Sequence, residues 1–209
     1  NCQTAIAQAE LDDKKLDSEF VHINFKVENG TKIEIATTRP ELIPACVAVF
    51  VHPDDKRYKS LIGKKSEVPL FNQKVEIKSD ESCDMEKGSG VLMVCSYGDK
   101  YDVEAINKFK LRPRVVFTHD GKLNSLAGKY EGLDIKKARK EIINDLKRGD
   151  YLIKKESIEH NVNVHDKCGT EIEFLSSKQW FIKIIENKKK FIDAGNEIKW
   201  HPEYMQKRY

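Results

Sequence analysis

Apolar and polar residues alternate from Val21 to Val27, with Val21, Ile23, Phe25 and Val27 on one side, and the pattern resumes at Ile33 and Ile35. A period of two puts one face on a core and the other on solvent, so both runs read as half-buried strands. Asn29-Gly30 lies between them, and both residues tolerate the positive φ of a tight turn, so the spacing predicts a hairpin. Ala45 to Val51 is apolar throughout and reads as a buried strand, ended by His52-Pro53-Asp54-Asp55. A short helical or irregular stretch follows through Leu61. Val68 to Phe71 and Lys74 to Lys78 flank Asn72-Gln73 as a second strand pair. Val91 to Ser96 is an apolar strand opened by glycines, and Arg114 to Thr118 is a further strand closed by Asp120-Gly121.

Two stretches change to the helical period. From Asp99 to Lys110, Val103, Ile106 and Phe109 share a face and Asp99 is placed to cap the first turn. From Leu133 to Arg148, Ile135, Ala138, Ile142 and Leu146 form one stripe, with Gly149 as the stop. Tyr151 to Lys155, Ile158 to Val164 and Glu171 to Leu175 read as late strands, and Ser177 to Lys190 as mostly helical. Many short strands with two or three helices predict an α+β fold, a β-barrel-like sheet with a few peripheral helices.

Composition narrows the class. A chain of 209 residues, 39% hydrophobic and 34% charged, can bury one sizeable core. The net charge of +3 comes from mixed signs, so the total carries no strong nucleic-acid footprint. Basic runs at Lys188 to Lys190 and Lys207-Arg208 read as a solvated helix face and a tail. No stretch approaches the ~18–20 apolar residues of a membrane helix. With no signal peptide, a cytoplasmic protein without a membrane partner is expected. The five cysteines are odd in number and irregular in spacing, which argues against a disulfide framework. The chain begins with Asn1 and is read as an excised part of a larger protein.

Ala36-Thr37-Thr38-Arg39-Pro40-Glu41-Leu42 follows the second strand of the hairpin. Two hydroxyls, a guanidinium and a carboxylate crowd into five residues there, which suits a ligand-facing rim. The plainer reading makes the threonines β-formers and Arg39 with Glu41 a surface ion pair. Gly88-Ser89-Gly90 precedes the apolar strand, and Asp99 and Asp102 open the helix after it. These acids could also serve only as cap and first-turn charge. A separate echo links Cys2-Gln3-Thr4-Ala5-Ile6 with Cys168-Gly169-Thr170-Glu171-Ile172, and His165 stands three residues before Cys168. Such paired knuckles can place ligands on one zinc ion, so Cys2, His165 and Cys168 are candidate ligands. Cys46, Cys83 and Cys95 have no histidine at metal spacing; Cys46 and Cys95 read as small core residues.

Taken together and in order, these motifs resemble the editing domain inserted into class I valyl-, isoleucyl- and leucyl-tRNA synthetases, most closely the archaeal-type valyl form. Cys2 to Glu10 is similar to the start of the insertion. Thr37-Thr38-Arg39-Pro40-Glu41 is similar to its threonine-rich motif, and Gly88-Ser89-Gly90 with Asp99 and Asp102 to its second motif. Lys178-Gln179-Trp180-Phe181 and Trp200 to Tyr204 resemble its exit. The resemblance implies a root or linker over residues 1–19, an editing domain over 20–175 and an exit segment over 176–209. It implies a hydrolase that removes threonine from mischarged tRNA(Val), bound by its acceptor end, with no cofactor for editing and a possible structural zinc at the root. The rest of the parent synthetase is a further implied partner, and since its ATP-site signatures are absent here, amino-acid activation is not expected.

The implied roles are specific. Asp102 binds the substrate ammonium, and Asp99 recognises the threonine hydroxyl or positions water. Thr37 and Thr38 line the pocket with Glu41. Arg39 holds the ester, terminal ribose or phosphate, and Gly88, Ser89 and Gly90 let adenosine approach. Met93 stands where many bacterial forms carry a lysine, and Ser96-Tyr97-Gly98-Asp99 replaces their histidine-containing segment, so the group that activates water has no assignment. Two alternatives stay open: an isoleucyl enzyme's domain acting on Val-tRNA(Ile), or a non-catalytic tRNA-binding or structural module.

Overall fold

The computed structural model describes residues 5–209; Cys2 lies outside them. The chain divides into two compact units, the first ending at Leu175 and the second spanning Ser176–Tyr209. Within the first unit the described residues form a seven-stranded mixed sheet. Its strands are β1 (Leu11–Val27), β2 (Lys32–Thr37), β3 (Cys46–Val51), β4 (Lys65–Glu67), β5 (Lys74–Ser79), β6 (Val91–Cys95) and β7 (Leu152–His165). The order is β2-β1-β4-β5-β3-β6, with β7 also paired to β1. Only the β3–β5 pair is parallel among these pairings.

The hairpin of β1 and β2 turns where Asn29-Gly30 predicts, with Gly30 at φ +83° and Asn29 Oδ1 accepting from the Thr31 hydroxyl at 2.7 Å. Val21, Ile23 and Phe25 face the core together with Ile33 and Ile35. The sheet curls so that a side chain on Gly88, before β6, would come within 2.9 Å of Ala36 Cβ on β2. The two ends of the strand path thus approach one another, which gives the α+β, barrel-like architecture expected. Helix α2 (Ile135–Arg148) seals one face with Ala138, Ile142 and Leu146, all fully buried. Helix α1 (Lys100–Lys108) covers the other face of β3 and β6, where Phe50 meets Phe109 at 4.7 Å between ring centroids. β3 and β6 are therefore covered on both sides, which is why they read as continuous apolar runs.

Several expected elements are corrected. The strand partnering β5 is Lys65–Glu67, not Val68 to Phe71. Pro69 offers no ladder N–H, and Leu70 and Asn72 take left-handed φ of 69° and 51°, so that segment turns instead. Arg114 to Thr118 makes only an isolated bridge, Phe117 to Leu123, and Glu171 to Leu175 only the bridge from Glu171 to Val164. Tyr151–Lys155 and Ile158–Val164 fall largely within one strand, β7, which pairs with β1 all the way back to Leu11. The stretch expected as a root thus has its residues from Leu11 onward inside β1.

In the second unit, the helix expected over Ser177 to Lys190 lies later, at α3 (Lys188–Glu197). Trp200 Nε1 donates to the Gly195 carbonyl at 2.7 Å, and Tyr209 packs on Trp200 at 5.2 Å between centroids. Among the described residues, no helix is long and apolar enough to cross a membrane.

Candidate active site

β2 ends at Thr37, and the chain turns through Thr38 and Arg39 into a short 3-10 helix, Pro40–Ala45, buried along its length. The Arg39 backbone N–H donates to Thr37 Oγ1 at 3.0 Å, so one of the two hydroxyls closes this turn. Thr38 is half-buried beside it. Arg39 Nε donates to Glu41 Oε1 at 3.1 Å, Nη1 to the Gly98 carbonyl at 2.8 Å and Nη2 to Glu173 Oε2 at 2.5 Å. Glu41 is no surface partner: its side chain is 0% exposed. Its oxygens also take Nε and Nη2 of Arg139 on α2, each at 2.8 Å. Burial alone would lower the Arg39 pKa, but the charges of Glu173 and Glu41 outweigh it and hold the guanidinium firmly protonated. Burial also raises the Glu173 carboxyl above the usual range despite the pull of Arg39.

The glycine loop is fastened from below. Asp55 is buried and binds Arg57, whose Nη2 donates to the Met85 carbonyl at 3.0 Å. Tyr58 donates its hydroxyl to the Ser89 carbonyl at 3.0 Å. Gly90 has φ +76°, and a side chain there would lie 2.5 Å from Arg57 Nη2 and 2.8 Å from the Met85 carbonyl, so glycine is required. Ser89 is buried, and its hydroxyl has no hydrogen-bond partner among the described residues. Met93 points into the main core rather than toward a polar group.

Beyond β6 the chain reverses through Tyr97, at φ 62°, and Gly98 into Asp99. Asp99 caps α1 by accepting the Asp102 N–H at 2.9 Å. Asp102 Oδ1 in turn accepts the Cys95 N–H at 3.0 Å. Asp102 is 6% exposed. Burial, then the nearby charge of Asp99, push its pKa up to about 7, although N–H groups of Cys95, Asp99 and Gly98 favour the ionised form. Cys46 and Cys95 face one another across β3 and β6, and burial raises both thiols, so neither is an activated nucleophile.

The fold therefore joins the two motifs through the bond from Arg39 to Gly98. The cap and first-turn geometry of Asp99 and Asp102 is also present, alongside the burial that a solvated helix start would lack. Sequence reading misses Arg139, Glu173, Arg57 and Tyr58. Arg139 sits in Lys136-Lys137-Ala138-Arg139-Lys140, which resembles any solvated basic face.

At the far end of β7, His165 Nδ1 lies 3.2 Å from Cys168 Sγ across a knuckle closed by Gly169 N–H donating to the His165 carbonyl at 2.8 Å. This spacing fits two corners of a tetrahedral zinc site. Among the described residues no third metal-binding side chain joins them, and Cys2 lies outside that range.

No family model matches the chain. Over 208 residues it is 48% identical to the valine--tRNA ligase of Thermoplasma volcanium, a match covering 100% of this chain and 26% of that protein. It is 47% identical to that of Methanocaldococcus jannaschii, covering 99% of this chain and 24% of the relative. It is 43% identical to that of Rickettsia conorii, covering 98% and 25%. The chain thus spans about a quarter of the length of these relatives. Its fold is similar to a LeuRS from Agrobacterium radiobacter K84 in a ternary complex with tRNA and LeuAMS, with a TM-score of 0.52, 15% identity and coverage of 83% of this chain and 28% of that one. The whole-length matches make the chain homologous to a segment of the valine--tRNA ligases, and its fold is similar to part of a LeuRS.

Proposed function

We propose that the chain hydrolyses the ester joining threonine to the terminal adenosine of tRNA(Val), after transfer of the wrong amino acid. The observation that carries this reading is the bond from Arg39 to the Gly98 carbonyl, which sets the threonine-rich turn beside a buried carboxyl with a pKa near 7. The chemistry supplies the need. An apolar pocket for valine cannot strongly reject an isostere that adds a hydroxyl, so a second site must remove it.

Asp102 binds the α-ammonium, and the arriving cation draws its proton off and holds the carboxylate ionised. Asp99, whose backbone already leads into the cap, meets the threonine hydroxyl or the attacking water. Thr37 and Thr38 line the wall. Three of the five N–H donors of Arg39 go to Glu41, Gly98 and Glu173, leaving two for the ester or the terminal ribose. Glu41 supports that guanidinium from beneath. Gly88, Ser89 and Gly90 offer a side-chain-poor surface to adenosine. Water adds to the ester carbonyl, the bond from that carbon to the terminal ribose oxygen breaks, and the ribose oxygen takes up the proton that water gives up, freeing threonine; the neighbouring ribose hydroxyl assists, and positioning supplies the rate. His165 and Cys168, with Cys2, would hold a structural zinc that pins the end of the β1–β7 ribbon.

The test is a comparison of Thr-tRNA(Val) and Val-tRNA(Ile) as substrates. Faster release of threonine from tRNA(Val) supports the valyl reading. Preference for Val-tRNA(Ile) would assign the isoleucyl chemistry, and salt-sensitive tRNA binding with no release would leave a binding module.

A further inference from the structure

We infer that Arg139 and Glu173 are positioning residues of this site, acting through Arg39 and Glu41 on the turn that carries Asp102. The inference rests on the hydrolase reading for its kinetic consequence but not for its geometry.

A continuous set of short polar contacts runs from α2 to the first turn of α1. Arg139 grips both oxygens of Glu41 at 2.8 Å, and Glu41 Oε1 also accepts Arg39 Nε at 3.1 Å. Glu173 takes Arg39 Nη2 at 2.5 Å. With two of its edges held by carboxylates, the planar guanidinium has one orientation, and its Nη1 meets the Gly98 carbonyl at 2.8 Å. Gly98 lies against Asp102 so closely that a side chain on it would strike Asp102 Oδ2 and come within 2.9 Å of Leu42 Cδ1. Fixing the Gly98 carbonyl therefore fixes the backbone packed against the Asp102 carboxylate.

Charge balance supports this role. The two guanidiniums and two carboxylates sum to zero, so the cluster can sit between α2 and the sheet without an uncompensated buried ion. Arg139 has a side chain 30% exposed and Glu173 one 22% exposed. Both lie at the rim of the cluster, whereas Glu41 lies at its centre.

Two variants, with Arg139→Met as a third for comparison, test the inference in single-turnover hydrolysis of Thr-tRNA(Val) and in amide hydrogen exchange. Glu173→Gln keeps an acceptor but loses the charge; Arg139→Lys keeps the charge but loses the two-pronged grip. Each is expected to slow the hydrolytic step by roughly 10- to 100-fold with half-saturating substrate concentration unchanged, the scale of loss that follows misplacement of a site by about an ångström. Arg139→Lys should retain more activity than Arg139→Met. Exchange of the Cys95 and Asp102 amides, which the two aspartates accept, should quicken in both variants. Unchanged hydrolysis would overturn the inference, as would tighter substrate binding by Glu173→Gln, which would mean that Glu173 only competes with a substrate anion. If the unaltered chain releases no threonine, the hydrolase reading falls, and exchange at Cys95 and Asp102 alone decides the positioning role: wild-type exchange rates in both variants would reject it.

Discussion

Cys95 donates its backbone N–H to Asp102 Oδ1 at 3.0 Å, so the last residue of β6 holds the carboxylate on the first turn of α1. The same carboxylate is buried beside Asp99, and those two facts set its titration against each other. Backbone donors favour the charge, while burial and a neighbouring acid oppose it, and the opposition prevails.

A pH dependence of stability follows. The folded pKa of Asp102 is raised to about 7, above the ~3.9 of an unfolded aspartate, so the folded state holds this proton more tightly. Its stabilising contribution is complete below pH ~4 and is lost as pH rises through about 7. Urea unfolding of the wild type and of Asp102→Asn should differ in slope across that window. The wild type should lose stability relative to the variant as pH rises; parallel curves would remove the claim.

Glu41 provides a sharper stability test. It is fully buried between Arg39 and Arg139, so Glu41→Gln leaves two guanidiniums without their shared counter-charge. The expected loss is about 3–5 kcal/mol, the range for breaking a buried ion pair on one side. A loss below about 1 kcal/mol in denaturant unfolding would place this pair with exposed ones instead.

Gly98 owes its identity to space, not to a positive φ. Gly98→Ala would push a methyl group into Asp102 and Leu42, and overpacking of this kind costs about 1–3 kcal/mol. Threonine release should fall further than stability suggests, because the displaced atom is Asp102 Oδ2. Single-turnover rates and melting curves on one sample compare the two effects.

The knuckle of His165 and Cys168 gives a metal prediction. Purified protein should carry one zinc per chain, and a chelator should lower its melting temperature, with His165→Ala abolishing both effects. Absence of zinc by metal analysis, with an unchanged melt, would rule out a structural ion at this knuckle.

Much of this fold is legible because its signals are local. Asn29-Gly30 sets a hairpin, Asp99 caps α1, and Gly149 ends α2, each through bonds within a few residues. β4 escapes notice because it has three residues and buries only Ser66, while the more apolar Val68 to Phe71 is diverted by Pro69. The start of β1 at Leu11 is hidden by a polar ribbon whose residues stay exposed or half-buried as far as Phe20. The motifs of the site are readable as residue types. Their support is not, because Arg139 meets Glu41 across 98 residues and Glu173 meets Arg39 across 134. Long-range ion pairs leave no periodicity, and an arginine among lysines looks solvated until the fold places it.

In the proposed function, Asp102 anchors the substrate of an ester hydrolase. Deacylation of Thr-tRNA(Val) by the chain and by Asp102→Ala, with protein in excess over tRNA, tests it most directly. Rapid threonine release by the wild type and a loss of at least about 100-fold in the variant are expected. Equal, slow release by both, with mischarged tRNA demonstrably bound, would contradict it.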